Sequence, residues 1–73
     1  MTAKPVNRRH WHGFQLQDDR GIEFGQQLEL LAGPRMSKYA PGLLQAPPNC
    51  AWLVNQELIR QGLRFSYQAP LYT

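Results

Sequence analysis

The stretch Asn49-Cys50-Ala51-Trp52-Leu53-Val54-Asn55-Gln56-Glu57-Leu58-Ile59-Arg60-Gln61-Gly62-Leu63-Arg64-Phe65-Ser66-Tyr67 holds two different periods side by side. At about 100° per residue, Ala51, Trp52, Val54, Leu58 and Ile59 fall on one broad face. Val54 and Leu58 stand four apart, which makes them neighbours on a helix surface. Asn55 is the one polar residue inside that face, while Gln56, Glu57, Arg60 and Gln61 share the opposite side together with Leu53. Asn49 is the candidate N-cap, with Pro47 and Pro48 blocking extension backwards or filling a first turn where a missing donor costs nothing. Gly62 suits the carboxyl-terminal cap, and Leu63 is its apolar follower. Beyond it Leu63, Phe65 and Tyr67 alternate with Arg64 and Ser66, the period of a half-buried strand. A helix running into a strand in so short a stretch points to an α+β fold.

Working towards the amino terminus, residues 33–48 hold Pro34, Pro41, Pro47, Pro48, Gly33 and Gly42, and neither period survives that density of breakers. They read as a connector whose Arg35, Met36, Lys38, Tyr39, Leu43 and Leu44 either line a docking surface or pack over the core. Gln26–Ala32 reads as a short helix, with Leu28 and Leu31 on one side and Gly33-Pro34 ending it; a strand is the competing reading, because Leu28 and Leu30 also alternate with polar residues. Residues 11–25 read as a β-hairpin. Phe14 and Leu16 alternate with glutamines, Asp18-Asp19-Arg20-Gly21 supplies a turn, and Ile22 and Phe24 flank Glu23. The expected core is Phe14, Leu16, Ile22, Phe24, Leu28, Leu31, Val54, Leu58, Ile59 and Phe65.

The expected organisation is one small α+β domain over residues 11–67, with a β-hairpin, a short helix and one main helix. A flexible basic arm over 1–10 precedes it and a flexible tail over 68–73 follows. A chain of 73 residues makes one domain at most. Cys50 is the single cysteine, so no internal disulfide forms, and a lone thiol favours a reducing, cytosolic compartment. No apolar run is long enough to cross a bilayer, and no apolar segment follows the early cations as in a secretory signal. The net charge is +3. Lys4, Arg8, Arg9, His10 and His12 precede every acid in the chain, which marks either a contact element for nucleic acid or an acidic protein surface, or a terminus kept soluble by charge.

Few combinations carry chemistry. His10-x-His12 is the only histidine pair, and structural zinc wants four ligands with a recognisable spacing, so no metal or cofactor is expected. Cys50 with either histidine is the only nucleophile arrangement; a helix start there lowers the thiol pKa without any catalytic purpose. Asp18-Asp19 is explained by turn chemistry, and no glycine-rich phosphate loop is present. The chain is therefore expected to act by binding and not as an enzyme. Arg8-Arg9-His10-Trp11-His12 is the most distinctive run: arginine makes bidentate contacts with phosphate or carboxylate, and tryptophan stacks on bases or anchors in protein pockets.

With that run in place, the basic arm Lys4-Pro5-Val6-Asn7-Arg8-Arg9-His10-Trp11 on a small α+β body of this length resembles the small transcription regulators of Xanthomonas-infecting phages. The resemblance covers the full chain and rests on length and character. It implies binding to the host's multisubunit RNA polymerase, near the RNA exit channel on the amino-terminal part of β′. It further implies inhibition of initiation at host promoters, suppression of termination, and action in the host cytoplasm. Nascent RNA or a host elongation factor are further contacts it admits. The candidate partner-binding residues are Lys4, Val6, Asn7, Arg8, Arg9, His10 and Trp11 of the arm, with Arg35 and Lys38 of the connector. The alternative is a small basic nucleic-acid-binding module acting without polymerase. Against it, the main helix carries only Arg60, near its end, and no aromatic stacking motif of an RNA-recognition sheet is visible.

Overall fold

Asp18 is where the chain first departs from the expected hairpin. Its backbone is extended (φ −137°, ψ 169°), and its side-chain Oδ1 accepts a hydrogen bond from the Gly21 amide at 2.7 Å. That is an N-cap, and Asp19 follows it in the first turn, where a negative charge suits the helix dipole. Residues 22–25 therefore continue a helix rather than a returning strand. The computed structural model describes residues 8–31 and 33–71. In chain order these form a 3-10 turn (Arg8–His10), β1 (His12–Leu16), α1 (Asp19–Glu29), β2 (Arg35–Met36), β3 (Leu43–Ala46), α2 (Ala51–Arg60) and β4 (Phe65–Gln68).

The α+β class holds, and its hairpin lies elsewhere than expected. The segment read as a connector supplies β2 and β3, which pair antiparallel with Arg35 opposite Gln45 and Met36 opposite Leu44. The loop between them is tied by Ser37, whose Oγ accepts from the Tyr39 and Ala40 amides, and by the Leu43 amide bonding to the Ala40 carbonyl. β1 sits centrally, pairing Phe14 with Leu44 on one side and with Tyr67 on the other. The resulting sheet has the order β2-β3-β1-β4. With the element order βαββαβ, this is the ferredoxin-like split βαβ arrangement.

Strand alternation divides the sheet into two faces. Phe14, Leu16, Leu44 and Ala46 point to the side covered by both helices, and join Ala51, Val54, Leu58 and Leu63 in one buried cluster. Phe14 packs its ring against Phe65 and Tyr67, with centroids 5.9 and 5.7 Å apart. The other face shows Arg35, Gln45, Leu43, Gly13, Gln15, Gln68 and Ser66 across the register of the strands.

α1 reaches the sheet through glycine. Gly21 and Gly25 are its two buried residues, one turn apart. A Cβ on Gly25 would stand 2.6 Å from Leu16 Cδ1 and 3.1 Å from Met36 Sδ. α2 buries a narrower face than expected, formed by Ala51, Val54 and Leu58. Ile59 and Leu31, both expected in the core, are exposed, whereas Leu44, Ala46, Ala51 and Leu63 take the core positions. Ile22, Phe24, Leu28 and Phe65 pack at its margin, partly buried. The N-cap of α2 is Cys50 rather than Asn49, without a side-chain capping bond. The end of α2 follows the sequence closely. Gly62 has φ +70°, its amide bonds to the Ile59 carbonyl, and the Leu63 amide bonds to that of Leu58. This is the two-bond pattern of a glycine-terminated helix, with Leu63 buried as the follower.

A basic groove as the candidate functional site

The hairpin of β2 and β3 brings cations from distant parts of the chain together. Arg35 opens β2, Lys38 stands in the loop after it, and Arg9 arrives from the 3-10 turn ahead of β1. All three line one groove of about 530 Å³, with Tyr39, Gln45 and Leu71 among its other walls. Arg9, Arg35 and Lys38 are all exposed residues. The groove's one acid, Glu29 at the end of α1, accepts a hydrogen bond from the Met36 amide at 3.2 Å. That bond ties the end of α1 to β2; among the described residues lining the groove, three are cationic and one is acidic.

Local structure sets this arrangement in advance. Ser37 Oγ holds two successive loop amides, so the two residues that follow it, Lys38 and Tyr39, are presented from a hydrogen-bonded turn. The Tyr39 ring is 95% exposed, without burial to account for it. A cationic groove edged by an uncovered aromatic is suited to carboxylates or phosphates on a large partner.

The sequence-predicted residues divide as follows. Arg9, Arg35 and Lys38 meet in the groove. Arg8 and His10 belong to the 3-10 turn, with His10 exposed, and Trp11 is half-buried just before β1; neither His10 nor Trp11 lines the groove. Lys4, Val6 and Asn7 lie outside the described residues. Sequence reasoning missed Glu29, Ser37, Gln45 and Leu71 as groove residues. Gln45 is placed by its register opposite Arg35, and no local signal marks that pairing.

Burial pushes the Cys50 thiol above its ordinary pKa, opposite to the lowering expected from a helix start. The direction of that shift reduces the share of thiolate, the nucleophilic form. Among the described residues no three histidine, cysteine or acidic side chains cluster as a metal site, and no helix is long and apolar enough to cross a membrane. Glu57 is held below the usual carboxylate range by hydrogen bonds from Arg60 and Gln61 on the outer surface of α2. A second, apolar groove of about 370 Å³ runs between the helices, lined by Leu28, Leu31, Pro34, Leu53 and Val54 among others.

Comparisons with family models, with curated proteins and with solved structures found no match to this chain.

Proposed function

We propose that this chain is a non-enzymatic, phage-encoded regulator that binds host RNA polymerase in the host cytoplasm, inhibits initiation at host promoters and suppresses termination. The observation that carries the binding part is the convergence of Arg9, Arg35 and Lys38 beside exposed Tyr39. The choice of polymerase, and of the amino-terminal part of β′ near the RNA exit channel, rests on the resemblance of the basic arm and body to phage transcription regulators. An acidic surface meeting this groove would be held by charge-assisted hydrogen bonds and steered in by long-range attraction, so binding weakens as salt rises.

The competing reading is a nucleic-acid binder acting without polymerase. One observation favours it: a four-stranded sheet with both described helices on one side is also the platform of RNA-recognition modules. Those platforms stack bases on aromatic rings. The face turned away from the helices here presents glutamines, a serine, Gly13, Leu43 and Arg35 in register, with no aromatic among the paired residues of that face. The protein-directed reading is therefore preferred.

The test is binding of purified host polymerase by the wild type and by the Arg9→Ala/Arg35→Ala/Lys38→Ala variant at two salt concentrations, with folding confirmed for each. All three side chains are exposed, so the fold is expected to persist. Binding should weaken by at least about tenfold, and its salt dependence should fall, since hot-spot cations contribute on the order of 1–2 kcal/mol or more. Equal affinities would remove the groove from the docking surface. Tight binding of the wild type to RNA or duplex DNA, with none to polymerase, would transfer the function to the competing reading.

A further inference from the structure

The two edges of the sheet are unlike. β2 is two residues long and opens on Arg35, and both brevity and charge discourage further strand pairing. β4 has neither defence. Phe65-Ser66-Tyr67-Gln68 carries no charge and no proline, and pairs in regular register with β1 along its whole length. β1 occupies one side of β4, and no strand among the described residues occupies the other. In an antiparallel ladder alternate residues turn their amide and carbonyl groups to opposite sides, so about half of those in β4 face outward.

A cavity of about 490 Å³ lies beside this edge, between β4 and the first turn of α2. Its walls include His12, Phe14, Pro48, Trp52, Asn55 and Tyr67. The Trp52 and Tyr67 side chains are both more than half exposed. Tyr67 Oη and His12 Nδ1 share a hydrogen bond at 2.7 Å, which fixes the tyrosine ring at the rim. Ile59, exposed two helical turns beyond Trp52, extends the apolar stripe along α2. An open backbone edge supplies affinity through main-chain hydrogen bonds, and an adjoining pocket selects one side chain of the added strand.

We propose that β4 receives an extended segment of a partner protein as a fifth strand, with an apolar side chain of that segment seated against Trp52 and Tyr67 and an acidic residue near its end. Charge argues for this occupant over a second copy of the chain. Neither β4 nor the residues lining the cavity include an acid. Arg64 stands exposed directly before β4, and the whole chain carries +3. A second copy would bring a further +3 to the same edge, whereas an acidic segment meets complementary charge. The surface shares no residue with the basic groove, and the inference does not depend on the polymerase reading.

The test uses the full chain, isotope-labelled, and a panel of eight-residue synthetic peptides alternating valine or tryptophan with threonine and ending in glutamate. Titration should shift the amides of Phe65 to Gln68 and the Trp52 indole, and slow hydrogen exchange along β4. Methylating alternate peptide nitrogens removes main-chain donors without altering the protein, and should weaken binding at least about tenfold. Trp52→Ala, at an exposed position, should weaken it by a similar factor with the fold intact. Absence of binding by the whole panel at millimolar peptide overturns the proposal, and so does equal affinity of methylated and unmethylated peptides. Concentration-dependent dimerisation that perturbs the same β4 amides would give the edge to a second copy and also overturn it.

Discussion

Gly62 shows how one residue carries both a conformational and a packing duty. Its φ of +70° is reached cheaply only without a Cβ, yet an added Cβ would meet nothing within 4 Å. Any cost of substitution is therefore backbone strain and not collision. Placing alanine in this left-handed conformation should cost about 1–2 kcal/mol, and asparagine less, because its side chain bonds locally there. Thermal or denaturant unfolding of Gly62→Ala and Gly62→Asn checks this; equal stability of Gly62→Ala and wild type would show that the helix end does not need the turn. The same residue aims the chain into β4, since the Leu63 amide bonds back to Leu58 and the Leu63 side chain enters the core. A local conformational preference thus positions the strand on whose outer side no described strand pairs.

Among the elements, α1 is governed by close approach. Gly25 lies against Leu16 and Met36, both of which belong to or pack on the core. Gly25→Ala should gain about 1 kcal/mol of helix propensity. It should lose more, because a Cβ 2.6 Å from Leu16 Cδ1 forces a packed side chain to move, and overpacking of this kind costs about 1–3 kcal/mol. At Gly21 the nearest atom would be Asp18 Oδ1 at 3.3 Å, so Gly21→Ala should be the milder change. Denaturant midpoints for the two variants test the ordering, and a more stable Gly25→Ala would mean that α1 stands farther from the sheet. These glycines also explain why the first turns of α1 were not legible in the sequence, although its last residues fall within the helix read at Gln26–Ala32. A helix packed through Gly21 and Gly25 lacks the apolar stripe that period-reading seeks, and Ile22 and Phe24 imitate a strand. β2 and β3 were hidden for a different reason. At two and four residues they are too short to display a period, and what defines them is non-local pairing with each other and with β1. α2 and β4 were legible because their signals are local: the spacing of Val54 and Leu58, the Gly62 stop, and alternation through Phe65 and Tyr67. The groove divides along the same line. Its cations could be named from charge alone, but their meeting depends on a hairpin that no local pattern announces.

At the scale of the whole molecule, one buried cluster supports everything else. Strands β1 and β3, helix α2 and Leu63 contribute directly, with α1, Met36 and Phe65 packed against them. The walls of the basic groove and of the β4 cavity are therefore anchored in the same core. A domain of this size has about 4–11 kcal/mol of stability on a per-residue basis, so a single core defect removes a large fraction of it. Leu58 is 0% exposed while its neighbour Ile59 is 62% exposed. Leu58→Ala should cost about 2–5 kcal/mol through lost contact and the cavity left behind. In a domain this small that lowers the unfolding temperature by at least roughly 10 °C. Ile59→Ala, one residue on, should stay within about 0.5 kcal/mol of wild type, as surface substitutions do. Thermal unfolding followed by circular dichroism, with the two variants and wild type side by side, decides it. Comparable losses in both would mean that α2 buries the broad face read from its sequence and not the narrow Ala51–Val54–Leu58 stripe. That outcome would turn Trp52 and Ile59 inward as well, and with them would go the exposed apolar rim beside β4.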